Sequence, residues 1–216
     1  MTETALFSET LKERTWSAHG DSEHSGFMED LMRGNGTRED YIELVAQHYF
    51  IYEAIEERMD ELKDNPEIAK FNFPELIRIP SLVADLEHLL GEDWRNLITP
   101  LPATVRYVER IKSLDDWAGG LIAHQYCRYL GDLSGGQIIK VRMQRFFGFE
   151  KAGVEFYMFE GIENPREFKV TYRDNLDNIG WDLEEQNRVV DEVLVAYQLN
   201  TDLFQEMSAA KLAALS

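Results

Sequence analysis

The chain carries a single cysteine, Cys127, which excludes an internal disulfide framework and any all-cysteine zinc site and suits a reducing compartment. No run of eighteen apolar residues occurs, and the opening MTETALFSET has neither a basic nor an apolar leader region, so the expectation is a cytoplasmic protein with no membrane partner. Basic residues are scarce, 22 against 40 acidic ones, and the formal charge of −18 opposes attraction to nucleic acid or anionic lipid. Strand-type alternation is almost absent, no internal repeat is visible, and no Pro/Gly/Ser-rich linker divides the chain. The six prolines fall between helical segments. With 216 residues and 44% hydrophobic content the chain can bury one sizeable core, and the expectation is a single domain over 1–216 with frayed ends at 1–5 and 208–216.

What is present is helical periodicity. It predicts helices at about 8–24, 38–63, 81–90, 103–113, 116–147 with a bend, 165–177 and 183–207: an all-α bundle of seven to eight helices. Segment 64–80, with Pro66, Pro74 and Pro80, reads as a looser connection holding short helical turns at most. Thr37, Asn164 and Asp182 are placed to start helices. One apolar stripe runs Tyr41, Leu44, Val45, His48, Tyr52, Ile55 and Met59, and His48 within it reads as a satisfied core histidine.

The run YLGDLSGGQ at 129–137 is the most unusual feature. Its glycines, Gly131, Gly135 and Gly136, each cost about 1 kcal/mol relative to alanine in a helix interior. Gly131 and Gly135 share a helix face, and their missing side chains open a flat slot floored by main chain, with Asp132 beside it and Arg128 one turn earlier as an i,i+4 partner. The plain alternative is a kinked helix packed on a neighbour. His124, two turns before Gly131, could line the end of the slot.

In the first helix Lys12, Trp16, His19 and Glu23 follow one stripe, and Glu23 is spaced to orient the imidazole of His19 so that its other nitrogen binds a metal. Asp21-Ser22-Glu23-His24 and Asp85-Leu86-Glu87-His88 carry a carboxylate-x-x-His spacing that weakly resembles a di-iron half-site. Two basic groups stand out on the acidic chain, Lys140, Arg142 and Arg145, and Arg106, Arg110 and Lys112, as landing points for an acidic partner or as ordinary solvated faces.

Together the glycine run and the segment AHGDSEHSGFM at 18–28 resemble the heme oxygenase family, whose distal-helix and proximal-helix signatures they are similar to. The likeness continues through Tyr52-Glu53-Ala54-Ile55-Glu56-Glu57, Phe168-Lys169-Val170-Thr171-Tyr172-Arg173 and Asn200-Thr201-Asp202-Leu203-Phe204, spanning about residues 6–207. It implies His19 as iron ligand with Glu23 as its partner, and Gly131, Ser134, Gly135 and Phe204 against the macrocycle. Asp132 would organise a distal water, with Arg128, Tyr52 and Asn200 extending the polar network. Lys12, Tyr126, Lys169 and Arg173 would hold the heme propionates, since two carboxylates need cations at one edge. Tyr197 departs from the phenylalanine expected beside the pocket.

The implied activity is oxidative cleavage of heme b, both cofactor and substrate, to α-biliverdin, carbon monoxide and ferrous iron. It would use dioxygen and electrons from a flavoprotein or ferredoxin-type reductase docking near Lys140, Arg142 and Arg145. The C-terminal AAKLAALS lacks the membrane anchor of animal members, which implies a soluble bacterial form serving iron acquisition. The rival readings are a heme carrier or store, a di-iron oxidase of the same fold, and a thiaminase-like hydrolase with Cys127 as nucleophile.

Overall fold

A computed structural model describes residues 6–23 and 26–214, and the side chains of His19, residues 21–23 and Ala214 lie outside that description. The helices among the described residues run in order α1 (Phe7–Glu23), α2 (Gly26–Arg33), α3 (Arg38–Glu61), α4 (Ile79–Leu90), α5 (Trp94–Leu97), α6 (Pro102–Lys112), α7 (Ala118–Asp132), α8 (Gly135–Phe147), α9 (Pro165–Asp177) and α10 (Leu183–Ala214). Two short 3-10 turns, Ile68–Lys70 and Pro74–Leu76, occupy the 64–80 connection as expected, and a third covers Glu155–Tyr157.

Side-chain caps fix where the helices begin. Thr37 accepts from the Asp40 amide at 3.1 Å while Asp40 accepts from the Thr37 amide at 2.8 Å, a reciprocal capping box for α3. Asn164 accepts from the amides of Arg166 and Glu167 ahead of α9, and Asp182 accepts from the Glu185 amide at 2.9 Å ahead of α10. The start of α4 is capped from another helix: Glu56 of α3 accepts from the amides of Arg78 and Ile79, which ties α3 to α4.

At the centre lies α7, almost wholly buried, packed between α3 and α10. Tyr52 of α3 meets Tyr129 of α7 and Phe156 edge-on, each at 5.0 Å between ring centroids, so an aromatic joint sets the spacing of α3 from α7. The buried stripe of α3 is the predicted one, Tyr41 through Met59. No helix among the described residues is long and apolar enough to cross a membrane.

Several expectations need correction. Helix α2 was missed, because two turns with only Phe27, Met28 and Leu31 buried are too short to display a period. The segment 116–147 is two helices rather than one bent helix, and α10 continues to Ala214 rather than ending at 207. Pro80 and Pro102 lie in the first turns of α4 and α6, where a missing amide hydrogen costs nothing, rather than between helices, while Pro165 opens α9 behind Asn164 as expected.

Candidate active site

The α7–α8 break is built from local hydrogen bonds. The Leu133 and Ser134 amides donate to the carbonyls of Tyr129 and Gly131 at 2.9 and 3.0 Å, and the Ser134 hydroxyl donates to the Leu130 carbonyl at 2.8 Å. Gln137 Nε2 then reaches back to the carbonyls of Asp132 and Tyr157 at 3.1 and 2.9 Å, so the end of α7 is satisfied although the helix stops. The glycines therefore flank a break. Gly135 and Gly136 sit in the first turn of α8, and the full helix-interior penalty does not apply to them. A Cβ on Gly136 would lie 2.9 Å from the Tyr157 ring, so its absence lets that ring close on the break. A Cβ on Gly131 would meet nothing within 4 Å, so this stretch of main chain is bare toward open space.

That space is a cavity of about 400 Å³ with Gly131, Asp132, Gly135 and Gly136 on one wall and Met28 and Met32 of α2, His48 of α3 and Tyr197, Asn200 and Phe204 of α10 around it. Its wall holds three of the four polar residues singled out from sequence, Arg128, Asp132 and Asn200, and the fourth, Tyr52, is fully buried and hydrogen-bonded to Asp132. The Tyr52 hydroxyl donates to Asp132 Oδ2. Arg128 Nη1 donates to Asn200 Oδ1 at 2.5 Å, its guanidinium lies 5.1 Å over the Tyr52 ring, and Asn200 Nδ2 donates to the Cys127 sulfur at 3.4 Å. The expected Arg128–Asp132 ion pair is not made: Arg128 turns to α10 and Asp132 to α3, although they remain close enough for their charges to interact. Burial pushes the Asp132 carboxyl up to about 6, against the opposing pull of the Arg128 charge and the Tyr52 hydrogen bond.

Near the break the side chains are basic. Lys169 Nζ donates to the Ser134 hydroxyl at 2.8 Å, and Arg173 follows one turn later on α9. Partial burial, and then the charges of Arg173 and Arg166, lower the Lys169 pKa. Tyr126 is buried on α7, within the field of Arg173. Lys12 is exposed on α1, its ammonium 5.9 Å over the Trp16 ring. Lys140, Arg142 and Arg145 lie on α8, with Lys140 donating to Gln137. Arg110, from the second basic group, is not a free island, because it clasps Glu192 of α10 with two nitrogens.

The side chains of His19 and Glu23 and the whole of His24 lie outside the described residues. His124 does not reach the slot: it is fully buried with Nε2 2.8 Å from Glu192 Oε1. Burial alone would raise the Glu192 carboxyl, but His124 and Arg110 hold it down at about 2. The 85–88 half-site dissolves, since Asp85 accepts the amides of Glu155 and Phe156 at 2.9 and 2.8 Å while His88 is exposed. His48 is not the satisfied core residue expected: its Nδ1 is buried with no hydrogen-bond partner among the described residues, and the residue lines the cavity. Met28, Met32, Ile138 and Ile139 were also missed as cavity residues, and only the apolar spacing of GFMEDLMR carried a hint of the first two.

An all-α frame with a broken helix bared over a cavity, cations near the break and one buried carboxylate is suited to clasping a flat ring that carries negative charge. The heme oxygenase family model matches residues 5–206. Heme oxygenase 1 of Synechocystis is 37% identical over 198 residues, covering 91% of this chain and 82% of its own length. Heme oxygenase 2 of Oryctolagus cuniculus is 38% identical over 210 residues, 95% of this chain and 67% of its own. Among solved structures, heme oxygenase-1 from Synechocystis in complex with heme superposes with a TM-score of 0.92 at 35% identity, over 98% of this chain and 96% of that one. The heme oxygenase from Leptospira interrogans gives 0.89 at 33% identity, over 94% and 100%. The chain belongs to the heme oxygenase family of heme-degrading enzymes.

Proposed function

We propose that the chain acts as one domain that binds heme b in this cavity and cleaves it, as substrate, to α-biliverdin, carbon monoxide and ferrous iron. The observation that carries the reading is the Tyr52–Asp132 hydrogen bond beside the bare main chain of Gly131. When bound, heme supplies the iron that activates dioxygen and the ring that is oxidised. The protein supplies position and protons. His19, oriented by Glu23, is the residue assigned to the iron; a neutral imidazole lacks the electron push of a thiolate toward O–O cleavage.

On the opposite face Gly131, with no side chain, lets a flat ring approach the backbone, while Gly135 and Phe204 add lining. Asp132 holds the proton. Its carboxyl, pushed up to about 6 by burial, exchanges a proton near neutral pH, and Oδ2 is fixed by the Tyr52 hydroxyl. Arg128, tied to Asn200, keeps a positive charge beside that carboxylate without claiming its oxygens. Lys169, Arg173, Tyr126 and Lys12 bind the propionates and so set which meso edge points inward, with Ser134 holding Lys169 in place.

Electrons come from an external flavoprotein or ferredoxin-type reductase. Its docking site is the α8 surface near Lys140, Arg142 and Arg145, where Arg142 and Arg145 share a face with exposed Ile138 and Val141, a basic and apolar patch on an otherwise acidic chain. The setting is the cytoplasm, where Cys127 stays reduced, and the physiological yield is iron. Cys127 is no nucleophile: burial pushes its thiol up to about 12, and His124 is engaged by Glu192. A carrier would have no use for a buried carboxylate with a raised pKa. The deciding experiment is a single turnover of the hemin complex with ascorbate and oxygen, read as carbon monoxide and biliverdin. Asp132→Ala is expected to keep the hemin absorption band and lose biliverdin, whereas a variant with normal biliverdin yield, or a wild type releasing no carbon monoxide, would overturn the assignment.

A further inference from the structure

His48 lies on the face of α3 that also carries Leu44 and Tyr52, at i, i+4 and i+8, and all three positions face the centre of the fold. Leu44 lines the cavity one turn before it and Tyr52 reaches Asp132 one turn after it. The residue is 4% exposed, and its contact with open space is the cavity. Its ring packs on Tyr52 at 6.0 Å and Phe156 at 5.2 Å between centroids, contacts a leucine would make as well. Among the described residues no group hydrogen-bonds either nitrogen: Nδ1 is sealed inside the protein without a partner, and Nε2 is not among the sealed atoms.

The two edges of the ring are therefore unequal. A neutral imidazole has one N–H and one bare nitrogen. A sealed N–H with no acceptor is the costlier arrangement, so the proton belongs on the nitrogen that keeps access to the cavity. Burial, with the charge of Arg128 adding to it, keeps the ring neutral. The other ionisable groups lining the cavity are Asp132, which accepts from Tyr52; Arg128, which donates from Nη1 to Asn200 while its Nε and Nη2 are sealed; Cys127, which accepts from Asn200 and interacts with Tyr197; and Glu29 and Arg33 of α2.

We propose that His48 donates a hydrogen bond from Nε2 into the distal cavity, to water or to a small anionic or oxygen ligand held there, as a positioning residue alongside the Tyr52–Asp132 pair. The inference rests on the reading of this cavity as the distal side of the heme pocket. It adds to the network a donor on α3 that does not pass through Asp132, and it accounts for an imidazole at a position where the stripe asks only for an apolar side chain.

The test uses His48→Leu and His48→Gln in the full chain. Hemin binding and melting temperature are checked first, and the hemin complexes are then titrated with fluoride and with pH. Leucine is expected to weaken fluoride binding about five-fold, the equivalent of one neutral hydrogen bond. It should also raise the acid–alkaline spectral midpoint by about half a unit. Glutamine, which keeps a donor, should recover most of both. Unchanged or tighter fluoride binding in His48→Leu overturns the proposal. If the wild type gives no shifted hemin band, the heme-pocket reading fails instead, and nitrogen NMR of the ligand-free protein decides the donor: a proton on Nε2 supports it and a proton on Nδ1 overturns it.

Discussion

Asp132→Asn should stabilise the ligand-free protein, and only above acidic pH. Burial holds the Asp132 carboxyl at about 6 in the fold, whereas its ordinary value is 3.8. Between those values the native state binds more protons than the unfolded chain, so stability falls as pH rises through roughly 4 to 6 and the loss is complete above that window. At about 1.4 kcal/mol for each pH unit of that window, the penalty reaches about 3 kcal/mol near pH 7.5 and about 1.5 kcal/mol at pH 5. Asparagine removes the buried charge while keeping an oxygen for the Tyr52 hydroxyl, so that hydrogen bond survives. Urea unfolding of wild type and variant at pH 5 and pH 7.5 reads the difference directly, with the m-value checked for constancy. A variant less stable than wild type at pH 7.5, or a gap that does not widen between the two pH values, would refute the account of a carboxylate held against its own burial. The link to function is direct, because a group destabilised as an anion is the one that accepts and returns a proton near neutrality.

Gly131→Ala should leave the ligand-free melting temperature unchanged or slightly higher, since the new Cβ meets nothing within 4 Å. The same methyl should weaken hemin binding by filling the slot, and calorimetry beside a hemin titration would expose a contrary result. Lys169→Ala combined with Arg173→Ala should let the ring rotate in its plane and give mixed biliverdin isomers, so chromatography showing one unchanged isomer would count against the cation clamp. His19→Ala should bind hemin without histidine ligation, and an unaltered visible spectrum would move the iron ligand elsewhere.

The helical frame was legible in the chain because its signals are local. Thr37, Asn164 and Asp182 announce helices through bonds to amides two or three residues away, and the α3 stripe is a matter of period. Local rules also explain the errors. They paired Arg128 with Asp132 four residues on, whereas the guanidinium found Asn200, 72 residues away, and the carboxylate took the hydroxyl of Tyr52, 80 residues back. Spacing carries no information about partners that distant, and those four residues were assembled beforehand only through likeness to a family. His48 shows the opposite failure. Period placed it correctly on a buried face and, for that reason, read it as satisfied; but satisfaction is decided by what the neighbouring helices present, and here α7 and α10 present a cavity. Burial can be read from one helix at a time. Whether a buried polar atom has a partner depends on at least two, and a site built for a ligand is where the second partner is withheld.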